Sequence, residues 1–389
     1  MKRNLWHRII FIILRYTAGP LLKWVMRYSC TKQKGPDVPS LIVSNHSTDI
    51  DPALVALGFS RHMYYLASEH AFRNGFPSKV LKNVFDPIPF QKARADVYAI
   101  KETIRRLRAG SNVCIFPEGD RTFTGTTAPI AASIAKLAKT CGTDLITFRI
   151  EGGFFTWPRW TKSLRRGKMT GRTVGRYFAA ELKEMTEKQV LDLIERDLFE
   201  DAYARQKEIP TRYHGKNLAE SIETALFLCP GCKRLGTIRS EGSRFFCECG
   251  LRGEYLETGF LEGEPLPFST TTEWGDWQMT HLPEIVKNSG DGPICSDENQ
   301  KLFEVNPAVG SKLIGEGTLE ISRDSLRCAG MSFPMEHLTR IIVTGQMTLA
   351  FAVVDGAAYE VRSDVPRSAL KYKEIYRILA EKTEDGKFL

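Results

Sequence analysis

The run Ser40-Leu-Ile-Val-Ser44 is apolar without alternation, the pattern of a strand covered on both faces, and it stops at the polar pair Asn45-His46. A second such run, Asn112-Val-Cys-Ile-Phe116, stops at Pro117-Glu118-Gly119. Between them Ile100, Thr103, Ile104 and Leu107 recur at helical spacing and Gly110 ends the pattern, which predicts a helix over Ala99–Ala109 as the crossover of a βαβ unit. The helical pattern returns over Ile130–Cys141, and Asp144–Ile150 supplies another strand. Together these predict an open α/β sheet, where ligands bind beyond the carboxyl ends of the strands. Past Gly317 the pattern changes. Thr318–Ser322, Ser325–Cys328, Leu338–Val343, Thr348–Val354 and Ala358–Arg362 read as short strands, followed by a helix from Ser368 to Lys382. That end of the chain is similar to the pleckstrin-homology-like arrangement of a small β-domain closed by a helix.

The amino terminus is apolar between charges: Leu5, Trp6 and Ile9–Leu14 precede a Gly19-Pro20 break, and Leu21, Leu22, Trp24, Val25 and Met26 follow it. Arg8, Arg15 and Lys23 interrupt the run, so it falls short of the roughly 20 mainly apolar residues of a spanning helix. Two helical pieces lying at the headgroup level of an anionic leaflet fit better, and a first helix packed on the core with snorkelling charges is the alternative. A signal peptide is not expected, because the run from Ile9 to Leu14 is short for its apolar region.

The charge agrees. The net charge is +8, and residues 1–34 hold Lys2, Arg3, Arg8, Arg15, Lys23, Arg27, Lys32 and Lys34 with no acid, leaving 46 basic against 46 acidic residues elsewhere. A neutral body lacks the basic excess that tracks nucleic-acid phosphates, so no nucleic-acid partner is expected, whereas a membrane surface with anionic lipids is.

Of nine cysteines, four cluster as Cys229, Cys232, Cys247 and Cys249, spaced C-x2-C-x14-C-x-C. Two close thiolate pairs on turns separated by a hairpin-sized insert are what a tetrahedral zinc site needs; two disulfides or four unrelated thiols are the alternatives. Four sulfur ligands leave no open position, so the expected Zn2+ is structural. The organisation expected is a membrane-associating segment at 1–34, the α/β domain at 35–215, a zinc ribbon at 222–256, an irregular connection at 257–310 and the β-domain at 311–389.

Two polar clusters sit at strand ends. Asn45-His46-Ser47-Thr48-Asp49-Ile50-Asp51 offers an imidazole and a carboxylate that a turn brings together, and a histidine that removes a hydroxyl proton gains from such a partner. The plainer reading makes Asp51 a helix N-cap and His46 a satisfied turn residue. Phe116-Pro117-Glu118-Gly119-Asp120-Arg121 ends in a guanidinium able to bind phosphate in bidentate fashion.

In this order, the two clusters resemble the motifs of the glycerolipid acyltransferase family, that of 1-acyl-glycerol-3-phosphate acyltransferases. N-H-x4-D is matched by Asn45, His46 and Asp51, and F-P-E-G-x-R by Phe116, Pro117, Glu118, Gly119 and Arg121. The resemblance covers roughly residues 1–210. It implies an α/β fold with an acyltransferase-type mixed sheet flanked by helices, His46 and Asp51 as the catalytic dyad, and Glu118, Gly119 and Arg121 as substrate-binding residues. The family's second motif carries an arginine where Ile88-Pro-Phe-Gln-Lys92-Ala-Arg94 stands here, so Lys92 and Arg94 are its expected substitutes. Thr147 stands where the fourth motif usually has proline. The function implied is transfer of a fatty acyl group from acyl-CoA or acyl-carrier protein to a lysophospholipid hydroxyl by a peripheral protein on the cytoplasmic face of a membrane. The alternative is a non-catalytic lipid- and partner-binding protein.

Overall fold

The structure, a computed structural model, describes residues 2–33, 38–68, 85–90, 97–306 and 310–384. It divides into two compact units, residues 1–159 with 164–214, and residues 160–163 with 215–389.

The first unit is organised by a seven-stranded sheet. Its strands are β1 (Tyr28–Cys30), β2 (Ser40–Ser44), β3 (Met63–Ser68), β4 (Ile88–Phe90), β5 (Asn112–Ile115), β6 (Asp144–Glu151) and β7 (Met169–Tyr177), in the order β1-β7-β6-β2-β5-β3-β4. All neighbours are parallel except β6 and β7. The unalternating run of β2 has a direct cause, since its two faces feed separate cores. Leu41 and Val43 pack with Val113, Ile115 and Leu145 among residues of α4 (Ser133–Thr140) and α7 (Glu187–Leu198). Ile42 packs with Cys114, Ile146 and Phe148 against Leu54 and Val55 of α2 (Asp51–Ala56). Leu41, Ile42 and Val43 are all fully buried.

The helix expected as a direct crossover is α3 (Val97–Arg108), but it follows β4 rather than β2. β3 and β4 intervene in the chain and run out to the sheet edge, so β2 and β5 become neighbours through a longer excursion. Pro89 fits a strand only because β4 is that edge.

The amino-terminal break is absent: α1 (Lys2–Val25) runs through Gly19-Pro20 as one helix. Gly19 has a packing reason, because a Cβ there would lie 2.9 Å from Leu57 Cδ2. Arg15 does not face a headgroup layer; Nη1 donates to the carbonyls of Ala56 (3.1 Å) and Phe59 and Nη2 to that of Leu57 (3.2 Å), which satisfies the carboxyl end of α2. His7 is buried with Nδ1 3.1 Å from the Tyr64 hydroxyl. The other side of α1 carries exposed Leu5, Trp6, Ile9, Ile12, Ile13, Tyr16, Leu21 and Trp24. Among the described residues no helix is long and apolar enough to cross a membrane.

The second unit has two antiparallel sheets. The smaller one joins β8 (Ile238–Glu241), β9 (Arg244–Cys247), β10 (Arg252–Tyr255) and β11 (Leu261–Glu262) in reverse chain order. The larger contains β12 (Cys295–Asn306), β13 (Gly310–Ile321), β14 (Ser325–Cys328), β15 (Met331–Pro334), β16 (Leu338–Thr344), β17 (Thr348–Val353) and β18 (Ala358–Ser363), ordered β15-β14-β13-β12-β18-β17-β16. The last helix of the chain, Ala369–Glu384, packs on β16 and β17.

The stretch 257–310, expected as an irregular connection, is structured. It holds α9 (Thr271–Asn288), numbering helices by the described residues, and β12 starts within it, so the large sheet begins before residue 311. Thr270 and Glu273 form a capping box at the start of α9. Gln278 on its buried face accepts from Phe227 N (3.1 Å) and donates to Ala225 O (2.8 Å), and Trp274 Nε1 donates to Leu228 O (2.8 Å). These bonds hold the strand-like approach to Cys229. Gln278→Leu is expected to leave both backbone groups buried without partners and to lower stability by about 2–6 kcal/mol, at about 1–3 kcal/mol each, measured by urea denaturation.

Candidate active site and metal centre

The parallel pairing of β2 with β5 aligns Val43 with Ile115, so the chains leaving these strands emerge side by side. Asn45 secures the first: its Nδ2 donates to Ile150 O and its Oδ1 accepts from Ile150 N, both at 2.8 Å, tying the turn to β6. Glu118 secures it to the second. One carboxylate oxygen accepts from His46 N (2.6 Å) and the other from Ala128 N (2.7 Å). Burial, with Asp51 and Asp120 adding, pushes the Glu118 carboxyl up to about 8 against the pull of these two N–H groups.

His46 Nδ1 lies 3.0 Å from Asp51 Oδ2. That oxygen also accepts from Ser47 N (2.6 Å) and Thr48 N (2.8 Å), while Oδ1 accepts from the Thr48 hydroxyl. A fully buried carboxylate surrounded by donors is acceptor-only, so Nδ1 carries the proton toward it and Nε2 keeps its lone pair. Asp51 is the first residue of α2 rather than the residue before it, and its carboxylate turns back to close the preceding loop. The imidazole stacks on Phe116, centroids 4.4 Å apart, and borders a pocket with Glu118, Thr122, Gly125, Gly153 and Phe154. Gly125 has φ +111°, and a Cβ there would meet the Phe154 ring at 3.0 Å, so the pocket wall needs a glycine.

Arg121 is nearly buried, with Nε 3.1 Å from Asp49 Oδ1. Gly119, exposed at φ +70°, turns the chain between Glu118 and Arg121. Sequence reasoning missed Arg159. Its Nη1 donates to Asp120 Oδ1 (2.7 Å) and Arg121 O (3.0 Å), and its guanidinium lies 3.9 Å from the centre of the Phe123 ring. Burial pulls this guanidinium below its ordinary value while Asp120 opposes. No spacing in Trp157-Pro158-Arg159 signals that role. Glu200, also missed, borders the pocket and accepts from Arg205 Nε at 2.7 Å. Lys92 and Arg94 lie outside the described residues. Thr147, at the expected proline position, is buried and donates to Asp197 Oδ2 (2.7 Å) on α7.

In the second unit the Sγ atoms of Cys229, Cys232, Cys247 and Cys249 lie within 4.8 Å of one another. Cys229 and Cys249 are 3.6 Å apart and Cys232 and Cys247 3.8 Å. A Zn–S bond of about 2.3 Å in a tetrahedron requires sulfurs about 3.8 Å apart, so the set fits zinc. The N–H groups of Gly231 and Cys232 are directed at Cys229 Sγ, as a thiolate needs. A Cβ on Gly231 would approach Cys249 Sγ to 3.1 Å.

Residues 26–151, within the first unit, match the Acyltransferase family. The chain is also similar to the solved 1-acyl-sn-glycerophosphate (LPA) acyltransferase PlsC of Thermotoga maritima, at 18% identity and a TM-score of 0.37, covering 50% of this chain and 95% of that one. The four sulfurs are compatible with a zinc ribbon. The purified protein is expected to carry about one zinc per chain, and Cys232→Ser to lose it with unfolding of the ribbon, read by elemental analysis and circular dichroism.

Proposed function

We propose that the acyltransferase domain is an O-acyltransferase that moves a fatty acyl group from acyl-CoA or acyl-carrier protein to the free hydroxyl of a lysophospholipid, above all 1-acyl-glycerol-3-phosphate. The observation that carries this reading is the His46–Asp51 pair, with Nδ1 bonded to a buried carboxylate and Nε2 without a partner among the described residues.

His46 Nε2 takes the proton of the acceptor hydroxyl as its oxygen attacks the thioester carbonyl. The resulting imidazolium is stabilised by Asp51, and its proton passes to the departing sulfur, so an oxygen ester and a free thiol form. Phe116 and Asp51 hold the ring in one orientation. General-base catalysis contributes about 10²- to 10⁴-fold, and positioning supplies more. Glu118 serves by bracing the His46 loop, Gly119 by the turn that presents Arg121, and Arg121 by meeting the acceptor's phosphate; Lys92 and Arg94 are proposed to join it.

The exposed apolar side of α1, with Trp6 and Trp24 among its residues and Arg8, Lys23 and Arg27 in and just after the helix, is proposed to rest on an anionic membrane surface at its cytoplasmic face. Such a placement lets an insoluble acceptor reach the domain without leaving the bilayer. Zinc is proposed to be structural, and it takes no part in the transfer.

His46→Ala is expected to lower kcat by about 10²- to 10⁴-fold while binding to anionic vesicles stays unchanged. Asp51→Asn is expected to lower kcat as well, because an amide cannot accept all the bonds that Asp51 now accepts and does not stabilise an imidazolium. Thiol release and vesicle sedimentation check both. Unchanged kcat in His46→Ala sinks the dyad.

A further inference from the structure

Arg121 and Arg159 lie in the same loop cluster, each with one aspartate that is at least 40% exposed, and Arg159 is held by more contacts. Arg159 is 1% exposed, is bonded both to Asp120 and to the backbone of Arg121, and is stacked on Phe123. It is a fixed support, since removing its carboxylate would leave a buried cation unpaired. Arg121 is 7% exposed but its partner Asp49 is 62% exposed, and they meet through a single contact, Nε to Oδ1 at 3.1 Å. With one member largely in solvent, Asp49 can leave the pair at little desolvation cost to itself. Among the described residues Nη1 and Nη2 of Arg121 have no partner. The fork is therefore anchored through its backbone by Arg159 and engaged along only one edge.

We propose that Asp49 is a specificity-determining residue, a displaceable counter-ion that decides which acceptor head groups gain Arg121. This rests on the reading above that Arg121 meets the acceptor. Asp49 sits on the same loop as His46, three residues along, and pairs with Arg121 of the neighbouring loop. An incoming phosphate that binds Arg121 in bidentate fashion takes over the Nε edge and sends Asp49 into solvent. The released carboxylate stays nearby and repels the dianion. It is indifferent to a neutral head group and attracts the cationic part of a zwitterionic one. Asp49 thus flattens the preference for phosphate monoesters that Arg121 alone would impose, which is specificity set by a repulsive element.

The test pairs turnover with equilibrium binding. Wild type, Asp49→Asn, Asp49→Glu and Arg121→Gln are assayed in mixed micelles with 1-acyl-glycerol-3-phosphate and with lysophosphatidylcholine, and each is titrated calorimetrically with glycerol 3-phosphate. Removing one half-exposed like charge is expected to tighten glycerol 3-phosphate binding about five-fold in Asp49→Asn and to raise the kcat/KM ratio of phosphate monoester to zwitterion by a similar factor, mostly through KM. Asp49→Glu is expected to behave as wild type, and Arg121→Gln to lose the binding. A Kd and a ratio both unchanged in Asp49→Asn, or both moved the other way, overturn the proposal and leave Asp49 as a loop tie. Binding that does not depend on Arg121 overturns it too. If no variant turns over any acceptor but Asp49→Asn still tightens binding, the acyl-transfer reading fails while Asp49's role stands.

Discussion

A carboxylate with no exposure must have its charge met inside the protein, and the way Asp51 meets that demand shapes the site around it. Burying an unpaired carboxylate is prohibitive. Here four donors converge on it: the His46 ring, the Ser47 and Thr48 amides and the Thr48 hydroxyl. Those donors can converge only if residues 46–48 fold back over the start of α2, and that turn is in turn held by Asn45 on β6 and Glu118 on the neighbouring loop. The parallel register of β2 with β5 and β6 brings both anchors within reach. The same bonds that satisfy Asp51 fix the His46 ring with Nδ1 toward the carboxylate at the edge of the pocket. Local stability and chemical readiness therefore have one origin.

Much of the first unit was legible because its strands are simple. β2 and β5 are covered on both faces, so their central residues are apolar without a break and their ends are marked by the polar clusters that matter. The acyltransferase resemblance drawn from those clusters agrees with the family match over residues 26–151. β3 was not legible, since Met63–Ser68 is only partly covered, nor was β4, whose proline reads against a strand until its edge position is known. The role of Arg159 depends on contacts with Asp120, Arg121 and Phe123, far from it in the chain, a tertiary fact with no local pattern.

The misreadings at the amino terminus and in the second unit share a cause. Gly19-Pro20 was read as a break and the stretch holding Pro283 as irregular from its Gly, Pro, Thr and acidic residues, yet Pro20 and Pro283 both lie inside helices. Proline removes one helical hydrogen bond, and that loss is tolerated where packing on either side holds the helix, by Gly19 against Leu57 in α1 and by Trp274 and Gln278 in α9. For α9 a signal was present in the sequence, Thr270-Thr-Thr-Glu273, a capping box ahead of the apolar positions. The cysteine spacing was the most informative pattern of that unit, because four sulfurs at tetrahedral separations leave little freedom for the turns that carry them.

The central claim is that the pocket beside His46 joins an acyl group to a lipid hydroxyl. Its most direct test is to incubate the purified wild-type protein with acyl-CoA and 1-acyl-glycerol-3-phosphate in anionic vesicles and to quantify free thiol and new lipid ester in the same sample. The account predicts equal amounts of the two, both increasing with acceptor. Thiol released without ester would make the protein a thioester hydrolase, and neither product with acyl-CoA, acyl-carrier protein or any lysophospholipid would contradict the account outright.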